Sequence, residues 1–169
     1  MNYDYIIVGS GLAGLMFAEQ LRLHNKSFIV ISNQSQQASV VASGLYNPVV
    51  LKRFTTTWNA AAHLDTAIPK YAALEQLLNL KLDYVLPIHR VFNSVKEQNN
   101  WFLACDKTLL GKFLNPELLT NTNPSINAPF GFGEVNCTGR IDTQVLIEAY
   151  RNFLSQSNQY IEETFNYQD

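Results

Sequence analysis

The sequence predicts an α/β fold: a βαβ unit at the N-terminus, a segment of mixed helical and strand pattern after it, and a further helix and strand near the C-terminus. Three observations carry this. A short apolar run, a 3.6-residue helical pattern and a second apolar run follow one another within the first 31 residues. A second amphipathic helix, opened by Asp142, spans residues 143–157 and leads into a further strand. The stretch between them mixes helical and strand patterns with all six prolines.

The elements can be justified in order. Tyr3 to Val8 ends in a continuous apolar run, which suits a strand of a parallel sheet covered on both faces. Gly9 breaks it. From Leu12 to about His24 the pattern is helical, with Leu15, Ala18 and Leu21 on one side. Phe28 to Ile31 is a second buried strand. Residues 32–43 are small and polar and read as a loop with at most a helical turn, and Pro48 stops any helix there. Residues 55–80 are mostly helical, with Pro69 expected to break or kink the helix. Residues 84–93 have strand character, and Pro87 suits an edge or a bulge. Ser94 and Glu97 form a capping box, so a helix begins there and runs through Trp101. Residues 106–133 are loop-rich, and residues 133–137 read as a short strand. On the helix after Asp142, Val145, Leu146, Ala149, Tyr150, Phe153 and Leu154 form the expected buried side. Tyr160 to Phe165 reads as a strand, and Trp58 and Trp101 as core residues.

Composition excludes several classes. With 12 Lys and Arg against 14 Asp and Glu, and no basic run, the 169-residue chain offers no surface for nucleic acid or an anionic membrane. Ile6 to Ala18 is almost uncharged, but it is shorter than the about 20 residues that a membrane span needs. Asp4 stands where a signal peptide would carry a cation. Cys105 and Cys137 make neither a metal spacing nor a disulfide framework. The expectation is a cytoplasmic protein without a metal.

The chemistry-bearing motif is Gly9-Ser10-Gly11-Leu12-Ala13-Gly14, a G-x-G-x-x-G between an apolar strand and an amphipathic helix. Gly9 permits the sharp turn out of the strand. Gly11, without a side chain, lets the backbone approach a pyrophosphate, and Gly14 lets helix and strand pack closely. The helix N-terminus directs free N–H groups and positive dipole at the anion. A glycine-rich turn without a ligand is the competing reading. The second strand should end in a carboxylate that holds ribose hydroxyls. It ends instead in Ser32 and Asn33, either of which could bond a ribose without charge assistance, or merely begin a loop.

Asp4 to Leu21 resembles the FAD-binding N-terminus of flavoprotein oxidoreductases. Residues 38–48 (ASVVASGLYNP) and 139–146 (GRIDTQVL) resemble segments of the D-amino-acid oxidase/glycine oxidase superfamily, in the order and approximate spacing of its N-terminal portion. The resemblance implies a Rossmann-like FAD-binding βαβ unit with part of an α+β substrate domain inserted. Residues 1–45 and 135–169 would form an incomplete FAD-binding domain, and 46–134 the substrate-domain portion. It implies FAD as cofactor, held by the glycine motif, by Ser32 or Asn33, and by a loop including Ser39, Ala42, Ser43, Gly44 and Leu45. The implied activity is oxidation of a small amine or amino acid by hydride transfer to flavin N5. A non-catalytic dinucleotide-binding module, the truncated remnant of such an enzyme, and a NAD-dependent reductase are the alternatives.

Substrate contacts are less defined. Tyr46, two residues past Gly44, could line a substrate pocket, and Lys52 and Arg53 could lie near the flavin. Arg53 and Arg90 could clamp a substrate carboxylate, or simply form surface ion pairs. His24, His63 and His89 show no triad or metal spacing and read as surface or core residues. No residue stands out as catalytic. The resemblance also implies apolar surface left uncovered, through which the chain could self-associate.

Overall fold

The computed structural model describes residues 2–35 and 38–168. Gln36 and Gln37, in the expected loop, lie outside the described residues, as do Met1 and Asp169. The elements run β1 (Tyr5–Val8), α1 (Leu12–Leu23), β2 (Phe28–Ile31), α2 (Ala38–Val41), β3 (Leu45–Tyr46), β4 (Val49–Val50), β5 (Thr55–Thr56), α3 (Ala60–Leu78), β6 (Asp83–Val85), β7 (Ile88–Val91), α4 (Val95–Cys105), β8 (Phe132–Val135), β9 (Gly139–Ile141), α5 (Thr143–Gln156) and β10 (Tyr160–Ile161). The mixed α/β class expected from the sequence is borne out. The chain forms two compact units: one comprises Met1–Gly44, Ala73–Leu82 and Ile141–Asp169, the other Leu45–Ala72 and Asp83–Arg140.

The first unit is built on a three-stranded parallel sheet in the order β1-β2-β10. Tyr5 to Val8 pair in register with Phe28 to Ile31, and Tyr160 and Ile161 with Val30 and Ile31. Phe28, Ile29 and Val30 in the central strand are buried, as the apolar run requires. In β1 only Ile7 is buried, while Ile6 and Val8 remain 58% and 51% exposed, so the expected two-sided burial is corrected. The reason is topological. β1 is an edge strand, and Ile7 is the residue that meets α1 beside Gly14.

On α1, Leu15, Ala18 and Leu21 are buried as the periodicity predicts. On α5 the buried stripe is Thr143, Leu146, Ile147, Tyr150, Arg151 and Leu154, whereas Val145 is exposed and Ala149 and Phe153 are half-buried. The stripe sits about one residue round from the most apolar choice because Tyr150 and Arg151 find partners inside. Tyr150 Oη donates to Glu19 Oε2 at 2.7 Å, and Arg22 forks onto the same carboxylate at 2.7 and 2.9 Å. Asp142 caps α5, accepting from the Val145 amide at 3.3 Å, as expected. β10 is shorter than the strand expected over residues 160–165.

In the second unit β3, β9 and β6 form one sheet, β4 and β5 a hairpin, and β7 and β8 an antiparallel pair. Its core gathers Val49, Phe92, Trp101, Leu110, Phe113, Leu114 and Val135. The Ser94–Glu97 capping box is present. Ser94 Oγ accepts the Glu97 amide at 3.3 Å, and Glu97 Oε2 accepts the Asn93 amide at 2.9 Å. Trp58, expected in the core, is instead 84% exposed, in a turn ahead of α3. α3 also continues through Pro69, although the proline nitrogen has no hydrogen to donate.

Gly14 shows what the β1–α1 junction demands. A Cβ there would collide with the Gly9 carbonyl, which is backbone and cannot yield. Gly14→Ala should therefore lower stability by about 1–3 kcal/mol, read as a fall in the urea midpoint. An unchanged midpoint would mean that the junction tolerates a wider helix–strand spacing.

Candidate cofactor site

The parallel strands of the first unit end together. Above their carboxyl ends lies a cavity of about 300 Å³, the place where open α/β sheets bind ligands. Val8, Gly9, Ser10 and Gly11 line it after β1, Ile31, Ser32, Asn33 and Ser35 after β2, Ala38 and Ser39 from α2, and Glu163, Thr164 and Phe165 after β10.

Gly9 turns the chain out of β1 at φ +98°, a conformation that side chains resist, and donates its amide to the Ile31 carbonyl at 2.8 Å. Gly11 then caps α1 in an extended conformation and has no side chain to block its first amides. A Cβ on Gly11 would meet only Ser39 Oγ, at 3.5 Å, so this glycine is open on the cavity side. Ser39 Oγ accepts the Leu12 amide at 3.3 Å. Ser10 is 2% exposed, and its Oγ has no partner among the described residues. A buried hydroxyl without a partner is costly. Set at the rim of a cavity beside a helix N-terminus, it fits a phosphate oxygen.

Arg151 braces this turn from α5. Its Nη2 donates to the Ser10 carbonyl and its Nη1 to Gln34 Oε1, each at 3.2 Å. Beside it, burial foremost and then the Glu19 hydrogen bond push the Tyr150 phenol well above the usual tyrosine range, so it stays a donor. The Glu19 hydrogen bond likewise raises the Arg22 guanidinium.

Of the residues singled out by sequence, Gly9, Ser10, Gly11, Ser32, Asn33 and Ser39 meet at this one cavity. Leu12, Ala13 and Gly14 form the first turn of α1 behind it. Ala42, Ser43, Gly44 and Leu45 do not line it. Gly44, at φ +69°, accepts the Ile141 amide at 3.0 Å, and the Ala42 carbonyl accepts Thr143 Oγ1 at 3.3 Å, so this segment docks on the start of α5. Leu45 pairs with Arg140 in the second unit. Arg151, Ser35 and Glu163 to Phe165 went unnoticed in the sequence, because only strand pairing and helix packing bring them here.

Tyr46 lies in the second unit. It donates to Asp83 Oδ1 at 2.9 Å, and burial, with Asp83, pushes its phenol up to about 12. It lines a separate apolar cavity of about 470 Å³ with Leu64, Ile68 and Val85. Neither Arg53 nor Arg90 lines that cavity. Arg53 is exposed in a turn, and Arg90 pairs with Glu97 at 3.6 Å, the surface ion-pair alternative. His24 contacts the Gln20 carbonyl at 2.7 Å, and His89 pairs with Glu134 at 3.2 Å. Among the described residues no cluster suits a metal, and no helix is long and apolar enough to cross a membrane.

A glycine turn, a helix N-terminus and a crevice at the strand ends define a dinucleotide-binding fold. Residues 4–70 match the family model of the FAD binding domain. The structure superposes on glycine oxidase from Bacillus cereus with a TM-score of 0.67 and 18% identity, over 98% of this chain and 49% of that one. L-amino acid deaminase from Proteus myxofaciens gives 0.65 and 13%, over 94% and 37%. L-alpha-glycerophosphate oxidase from Mycoplasma pneumoniae, solved with FAD bound, gives 0.58 and 14%, over 95% and 44%. The chain thus spans about half the length of the glycine oxidase. It shares its fold with part of each of these three structures, and FAD is the cofactor indicated by the matched domain model and the FAD-bound oxidase.

Replacing Arg151 by Met should strand the Ser10 carbonyl and Gln34, lowering stability by about 1–3 kcal/mol. Chemical denaturation of the variant checks this, and wild-type stability would show that the turn holds its shape without the brace.

Proposed function

We propose that this chain is the FAD-holding part of an oxidoreductase that oxidises a small amine or amino acid by hydride transfer to the flavin. The observation that carries the proposal is the buried, unpartnered Ser10 hydroxyl beside the open face of Gly11, at the N-terminus of α1. Together these form a pyrophosphate cradle. The backbone amides of Gly11 and Ala13 and the Ser10 hydroxyl would hold the phosphates, beside the Leu12 amide that Ser39 Oγ takes, with Ser32 and Asn33 at the ribose end. Ser39 at the cavity, and Ala42 to Gly44 beyond it in the same unit, would follow the cofactor towards its ring. FAD, when bound, supplies the hydride-accepting ring; the chain supplies orientation and charge. The glycine oxidase and amino acid deaminase likenesses support the substrate class. Arg90 is committed to Glu97, so it is left out as a substrate clamp.

Gly11→Val tests the cradle. Its backbone, at φ −74°, accepts a side chain without strain, so the fold should survive while the isopropyl group fills the cavity. Titration of FAD, followed by flavin fluorescence, should show affinity falling at least about tenfold, or about 1.4 kcal/mol, with an unchanged melting temperature. Equal FAD affinity in wild type and variant would overturn the phosphate role. Binding of NAD in place of FAD by the wild type would favour a NAD-dependent reductase.

The uncovered face of β1 supports a second part of the proposal, self-association of the isolated chain. Ile6 and Val8 expose adjacent apolar side chains on an edge strand. Sedimentation velocity should show concentration-dependent association that Ile6→Lys with Val8→Lys abolishes. A wild-type chain that stays monomeric across the same concentrations would refute it.

A further inference from the structure

The end of β2 carries no carboxylate, and its neutral side chains are already engaged. Ser32 Oγ accepts the Gln34 amide at 3.3 Å. Asn33 uses both ends of its amide, accepting from Ser35 N at 3.0 Å and donating to Thr164 Oγ1 at 3.1 Å. Gln34 Oε1 is held by Arg151. The cavity nevertheless has one carboxylate in its lining, Glu163. It stands two residues beyond the end of β10, which runs parallel to β2 with Ile161 in register with Ile31. The Asn33–Thr164 bond ties this segment to the end of β2. Glu163 forms no ion pair with any described residue, and it is an exposed residue of the cavity lining.

We propose that Glu163 accepts the 2′-hydroxyl of the cofactor's adenosine ribose, doing from β10 what a carboxylate at the end of β2 does in other dinucleotide-binding folds. This rests on reading the cavity as the FAD site. The sheet order supports it. β1 and β10 flank β2, so the glycine turn and Glu163 lie on opposite sides of the β2 end. The cavity then has a positive helix terminus for the phosphates on one side and a carboxylate for the ribose on the other. A carboxylate there also repels a 2′-phosphate, so the site selects a free 2′-hydroxyl.

Calorimetric titration of the purified chain with ADP and with 2′-deoxy-ADP tests this directly. The wild type should bind ADP about tenfold more tightly, a difference of about 1.4 kcal/mol. Glu163→Gln should bring ADP to within about twofold of 2′-deoxy-ADP, as a neutral acceptor loses the charge assistance. Its affinity for 2′-deoxy-ADP and its melting temperature should stay at wild-type values. Full discrimination retained by Glu163→Gln, or lost instead in Ser32→Ala, overturns the assignment. If the wild type binds ADP and FAD without distinguishing 2′-deoxy-ADP, the ribose assignment alone fails. If it binds none of the three, the reading of the cavity fails with it.

Discussion

The close approach of α1 to the end of β1 governs the first unit. The Gly9 carbonyl occupies the space that a side chain on residue 14 would need. The helix therefore starts only four residues after the strand ends, doubling back over Ile7, and its N-terminus must face the crevice at the strand ends. Ser10 is driven into the interior by the same turn, and Gly11 is left facing out. The cradle is thus a product of packing: once residues 9 and 14 are small enough to touch, the amides of residues 11 to 13 have one direction to point.

That turn is held from behind by a helix far away in sequence. On α5 two adjacent buried residues reach in different directions, Tyr150 to Glu19 on α1 and Arg151 to the Ser10 carbonyl and Gln34. A guanidinium keeps its charge when buried, and here it bonds neutral oxygens. It adds positive potential beside a helix terminus that is itself positive. The polar members of the α5 stripe therefore shape the site, while Leu146, Ile147 and Leu154 hold the helix on the sheet.

The second unit follows different rules. Its strands are short, with β3 and β9, β4 and β5, and β7 and β8 paired antiparallel, and its stability centres on Trp101, whose indole lies where Gly133 has no side chain and donates to the Asn115 carbonyl at 2.9 Å. Its apolar cavity beside Tyr46 holds no strong cation, and Arg90 is spent on Glu97. The chemistry legible in this chain lies almost wholly in the first unit.

Local pattern alone determined the strand–glycine–helix–strand order, the turn at Gly9 and the close packing at Gly14, the caps at Ser94 and Asp142, and the resemblance to FAD-dependent enzymes. These depend on steric and hydrogen-bonding demands that act within a few residues. Only the tertiary structure decided that β1 keeps one face open, that Trp58 lies outside, and that Arg151 lies inside. It also placed Glu163, 131 residues beyond Ser32, at the same cavity. Periodicity ranks residues by hydrophobicity, so it passes over a polar side chain that is buried because a distant carbonyl satisfies it. Nor can it show which strand ends meet, since parallel pairing joins segments whose separation leaves no local mark.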